Sequence, residues 1–125
     1  MNADQSNRQR LITAWTQERS ASAAAFRDRD LPRAWAHLER AHIISQPMAG
    51  RHVRTHLAML RFAVHTFRFH EIVGQVLRTL IAAPGTWSGR YPPGNTGGAN
   101  VSAFAAMAVP ADLQRLLASD FEDAP

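Results

Sequence analysis

Between Arg51 and Phe69 the large apolar residues return at a four-three-four-three spacing: Val53, Leu57, Leu60, Val64 and Phe67. That spacing draws one stripe along an α-helix and does not fit the two-residue alternation of a strand. It predicts a helix over 51–69 with this stripe as its core face. His52, His56, Met59 and Ala63 form a second stripe beside it, Arg54, Arg61 and Arg68 occupy the opposite flank, and Phe62 and Phe69 lie at the back. A helix that is apolar on nearly every side is expected at the centre of a fold.

The same reading extends to both sides of this segment. Leu11, Ile12, Trp15, Ala25 and Phe26 fit one face of a helix over about 5–29, with high propensity in Ala23-Ala24-Ala25. Asp30-Leu31-Pro32 then stops and restarts the chain, Asp as N-cap and Pro in the first turn. A second helix is expected over 32–45, its face made by Leu31, Ala34, Trp35, Leu38, Ala41, His42 and Ser45, and Gln46-Pro47-Met48-Ala49-Gly50 makes the turn. A fourth is expected over 70–83, ended by Pro84-Gly85. Residues 84–109 are rich in Gly, Pro and Asn and read as a long ordered loop packed over the domain, anchored by Trp87, Tyr91, Val101, Phe104 and Met107. Pro110-Ala111-Asp112 opens a short terminal helix.

The expected fold is therefore all-α. It is one domain over 1–125, with four helices in two hairpins, a long C-terminal Gly/Pro-rich loop and a short last helix. The 125 residues and the 46% apolar content suit a single small core. No apolar run reaches a membrane span, and the start has no leader pattern, so the cytoplasm is expected. With no cysteine, disulfides, thiolate ligands and a cysteine nucleophile are excluded. All 14 basic residues are arginine, but they are scattered from Arg8 to Arg115 among acids, so nucleic-acid binding is disfavoured.

The chemistry is concentrated in one stretch. All six histidines fall between His37 and His70, and four side chains there have ligand spacing: Glu39-x-x-His42 and His52-x-x-x-His56. Residues three or four apart share a helix face. In an antiparallel hairpin turning near Pro47 and Met48, His42 is level with His52 or Val53 and Glu39 with His56, and the handedness of packing decides which flank His52 and His56 take. Three imidazoles and a carboxylate are borderline donors, suited to Fe, Zn, Mn, Ni or Cu and not to Ca or Mg. The second Glu-x-x-His of a di-iron bundle is missing, so one ion per chain is expected, though two copies could build a dinuclear site. The same residues also allow a metal-free structural network or a metal-free catalytic cluster. Gly94-Asn95-Thr96-Gly97-Gly98 lacks the lysine and preceding strand of a P-loop, and no Gly-x-Ser-x-Gly elbow is present.

The segments Leu38-Glu39-Arg40-Ala41-His42, His52-x-x-x-His56-x-x-Met59-Leu60, Gly94-Asn95-Thr96-Gly97-Gly98-Ala99-Asn100-Val101-Ser102 and Val109-Pro110-Ala111-Asp112-Leu113 together resemble a small bacterial family of domains of unknown function. The resemblance implies that the two ligand pairs and the Gly-Asn-Thr-Gly-Gly loop travel as a set, and it implies no activity. Ala106-Met107-Ala108-Val109-Pro110 departs from the proline-richer pattern of the relatives.

The leading expectation is a transition-metal-binding helical protein, with Glu39, His42, His52 and His56 holding one ion under the loop. If it is a small metalloenzyme, Arg90, Tyr91, Asn95 and Asn100 are the candidates for substrate contact. The alternative is a metal-free, tetratricopeptide-like interaction module built from helical hairpins. The partner is a small molecule or a protein, and a homodimer is open.

Overall fold

A computed structural model describes residues 2–87, 93–99 and 106–118, the side chains of 81–87 aside. Its elements are α1 (Ala3–Arg27), α2 (Leu31–Ser45), α3 (Ala49–His65), α4 (Phe69–Trp87) and α5 (Ala111–Ala118). Among the described residues there is no strand. α1 pairs with α2 and α3 with α4, α2 packs on α3 to join the two hairpins, and α5 closes on α1 and α2. No helix of the described residues is long and apolar enough to cross a membrane.

Local chemistry sets the starts of α1 and α2. The Asn2 side chain accepts from the Gln5 N–H while Gln5 Oε1 accepts from the Asn2 N–H, a reciprocal cap at the start of α1. Asp30 caps α2 by accepting from the Arg33 N–H at 3.2 Å, with Pro32 in the first turn as the sequence implies. Phe67, at φ 56°, makes the left-handed turn that reverses the chain into α4. It therefore falls outside α3 and does not extend the stripe of that helix. α4 does not stop at Pro84 but continues to Trp87. A proline costs its helix one ladder hydrogen bond, yet its own φ is already helical, and here the helix runs on.

Two apolar clusters hold the hairpins together. Leu11, Ile43, Ile44, Met48 and Leu113 join α1, α2 and α5. Ala25, Ala34, Leu38, Met59 and Phe62 join α1, α2 and α3. Ala34 and Ala41 are fully buried, and the small side chains let α1 and α2 approach closely enough for Ser22 Oγ to donate to the Ala34 carbonyl at 2.8 Å. Polar links cross the join: Trp15 Nε1 donates to Thr55 Oγ1 at 2.9 Å, and Thr55 meets Ser45 at 3.2 Å. Glu18 takes His37 and Arg40, and Arg40 also pairs with Asp112, which ties α5 to α2.

The face that α3 turns inward is not the expected one. His52, Thr55, His56, Met59, Phe62 and Ala63 are buried, while Leu57 and Val64 are about half exposed. The helix is rotated so that its histidine stripe, not its aliphatic stripe, meets α2 and α4. The reason lies on α4, whose inward side chains are Glu71, Gln75 and Arg78, polar groups that match imidazoles and would be left unpaired against leucine and valine.

Candidate metal centre

The three histidines arrive from two helices. His42 lies in the last turn of α2, and His52 and His56 lie one turn apart on α3. The tight connection through Gln46, Pro47 and Met48 places them at one level, and all three are buried. Their Nε2 atoms form a small triangle: 2.9 Å between His42 and His52, 3.1 Å between His42 and His56, and 3.2 Å between His52 and His56. Among the described residues this is the group of candidate ligand atoms that all lie within 4.8 Å of one another, so it is able to hold a metal ion.

Hydrogen bonds on the far side of two rings decide where the protons sit. His42 Nδ1 is 2.6 Å from the Asn95 carbonyl, an acceptor only, so Nδ1 carries the hydrogen and Nε2 is left with a lone pair. His56 Nδ1 is 2.7 Å from Gln75 Oε1. The Gln75 amide nitrogen is committed to Glu71 Oε1 and to the Gly97 carbonyl, each at 2.6 Å, which orients its oxygen toward His56. His56 therefore also donates from Nδ1 and presents a bare Nε2. Two acceptor nitrogens then face each other at 3.1 Å with no hydrogen to place between them.

Protonation does not relieve this. Burial holds His42 well below the ordinary imidazole range, and the neighbouring His56 and His52 push it the same way. Burial, then His56, brings His52 down to about 3. His56 is lowered to about 4, again chiefly by burial, against the raising effect of Gln75. Arg78, buried on α4, adds its positive charge against protonation of His42 and His56. Neutral imidazoles with converging lone pairs are the form in which histidine binds metal.

The Gly-Asn-Thr-Gly-Gly loop is built against this triangle. Gly97, at φ 82°, lies flat on the His42 ring, and an added Cβ would sit 2.6 Å from His42 Cδ2. Asn95 is buried, and its Oδ1 accepts from the Gly97 N–H at 2.9 Å, which holds the turn whose carbonyl orients His42. The Ala99 N–H donates to both oxygens of Glu71 at 2.9 and 3.0 Å. Gly74 on α4 gives Ala99 room to approach.

Of the sequence candidates, the structure brings His42, His52 and His56 together and does not bring Glu39 into the group. Glu39 lies one turn before His42, half-buried, with Trp35 near it on the same helix. Burial, and the nearby Glu71, raise its carboxyl above the usual range. Asn95 acts on the site through its backbone carbonyl. Arg90, Tyr91 and Asn100 lie outside the described residues, as do Val101 and Phe104. Sequence reading missed Glu71, Gln75 and Arg78, which support the centre from α4. Their signal was a polar stripe at i, i+4 and i+7 in an otherwise apolar helix.

A family model of proteins of unknown function matches residues 9–117, nearly the whole chain and every element of the site. The chain belongs to the DUF3703 family. No curated protein and no solved structure matches it. Membership in DUF3703 brings no activity with it, so function has to be argued from the triangle of imidazoles.

Proposed function

We propose that this protein holds one divalent transition-metal ion on the Nε2 atoms of His42, His52 and His56. The single observation that carries the reading is the His42–His56 pair, two lone pairs 3.1 Å apart with both ring protons committed elsewhere. A cation between them turns repulsion into coordination. Metal–nitrogen bonds of about 2.0–2.1 Å would let one ion reach all three nitrogens, which lie 2.9–3.2 Å apart.

Three imidazoles would leave such an ion with coordination positions that no protein side chain is assigned to fill. Three protein ligands with a free position is the arrangement of catalytic zinc sites, whereas structural sites are closed by four. Iron, zinc, manganese, nickel and copper all accept imidazole, and the second sphere of Gln75, Glu71 and the Asn95 carbonyl orients the rings as ligand-supporting groups do. A molecule at the open position would be polarised by the ion, which is the form a small metalloenzyme would take here. Glu39 is not part of the triangle, so the proposal assigns three protein ligands.

Elemental analysis of the full-length chain, purified without a polyhistidine tag, tests the reading. Near one equivalent of metal per chain is expected, and His56→Ala should bring it to background. Wild-type protein at background, both as purified and after reconstitution, would overturn the proposal and favour the metal-free interaction module.

A further inference from the structure

α4 is an inverted helix. Its inward face is polar, made of Glu71, Gln75 and Arg78. Its outward face carries Phe69, Val73, Val76, Leu77 and Leu80, exposed by 72%, 63%, 45%, 60% and 71%. A surface helix normally does the reverse. The buried histidines account for the inward polar residues. Among the described residues, nothing covers the outward apolar ones.

The spacing of that face suits a helical partner. Phe69, Val73, Val76 and Leu80 follow a four-three-four pattern, the seam by which one helix packs along another. α3 carries the second seam of the hairpin in Val53, Leu57, Leu60 and Val64, continued by Phe67 in the turn, and Leu57, Val64 and Phe67 are among the exposed residues. The exposed apolar side chains of the hairpin together offer on the order of 800 Å², one partner's share of a standard interface. Apolar patches on monomers typically reach only about 300–600 Å².

We propose that the α3–α4 hairpin docks on the same hairpin of a second copy of this chain, completing a four-helix bundle about a two-fold axis. A two-fold interface must be complementary to itself, and an uncharged apolar stripe meets that condition. The seam calls for a helical occupant with matching spacing, and this hairpin has it on both helices. Arg54 and Arg61 flank the stripe on α3 and would lie at the wet rim, where salt screens like charges. The inference does not depend on the metal.

Light scattering on the full-length chain tests it. Wild type is expected at twice 13.8 kDa, and Leu77→Asp/Leu80→Asp at 13.8 kDa with unchanged helical circular dichroism. The chain has no cysteine, so single cysteines placed in turn at 69, 73, 76 and 80 give a second readout. Under mild oxidation at least one should cross-link two copies, while Arg33→Cys on α2 should not. A wild type that stays monomeric from micromolar to millimolar concentration would overturn the proposal. So would a double variant that remains dimeric, or a monomer that binds anionic phospholipid vesicles through this face.

Discussion

Replacing Gln75 by leucine should separate the metal centre from the fold that carries it. Gln75 is fully buried and makes three contacts, none longer than 2.7 Å: its oxygen takes the proton of His56 Nδ1, and its amide donates to Glu71 and to the Gly97 carbonyl. Leucine has nearly the same bulk and removes all three. His56 then loses the acceptor that holds its proton on Nδ1, so its Nε2 is no longer reserved for the ion. Loss of such an outer partner typically costs about 10–100-fold in metal affinity, or about 1.4–2.8 kcal/mol. Each buried group left without a partner costs about 1–3 kcal/mol more in folding stability. Competition titration against a chromophoric chelator reads the first quantity and urea unfolding of the metal-free protein reads the second. Gln75→Glu keeps the acceptor for His56 but cannot donate to Glu71 or Gly97. It should hold affinity better than leucine while still losing stability. A leucine variant that binds metal within about twofold of wild type would refute the tautomer argument, since 0.4 kcal/mol is too little for a controlling second-sphere bond.

Gly97→Ala should lower stability by about 2–4 kcal/mol in urea unfolding, from the left-handed backbone and the contact with the His42 ring together, and lower metal content with it; an unchanged midpoint would show that the loop does not lie on the ring. Asp30→Ala should cost about 1 kcal/mol through the lost cap of α2, with metal content unaffected, by the same unfolding assay alongside elemental analysis. The metal-free protein should lose stability as pH falls from about 6.5 toward about 4, because the unfolded chain takes up protons that folded His52 and His56, lowered to about 3 and about 4, do not. Urea midpoints of chelator-treated protein across that range check the sign, and a midpoint that holds steady or rises would contradict it.

The common level of His42, His52 and His56 was legible because it depends on counting. Two short-spaced pairs placed symmetrically about Pro47 come to one level in any antiparallel hairpin. The N-cap at Asp30 and the turn at Gln46–Met48 were legible for a similar reason, since they rest on groups close in sequence. Glu39 shows where counting stops. It shares a level with the site, but the side of α2 that it occupies leaves its carboxylate out of the triangle.

Periodicity and local capping thus dictated the helices, their order and the height at which three imidazoles meet. Those properties depend on rise per residue and on hydrogen bonds within a few positions of chain. The rotation of α3 was settled only in three dimensions. Two stripes lie side by side on that helix, each able to serve as a core face, and the choice fell to the polar lining that α4 turned toward them. Sending the histidines inward satisfied Gln75 and Glu71, and it left the aliphatic seam of both helices facing out. A single sequence carries no such information about its partners across space, because burial is a property of the pair of surfaces and not of either one.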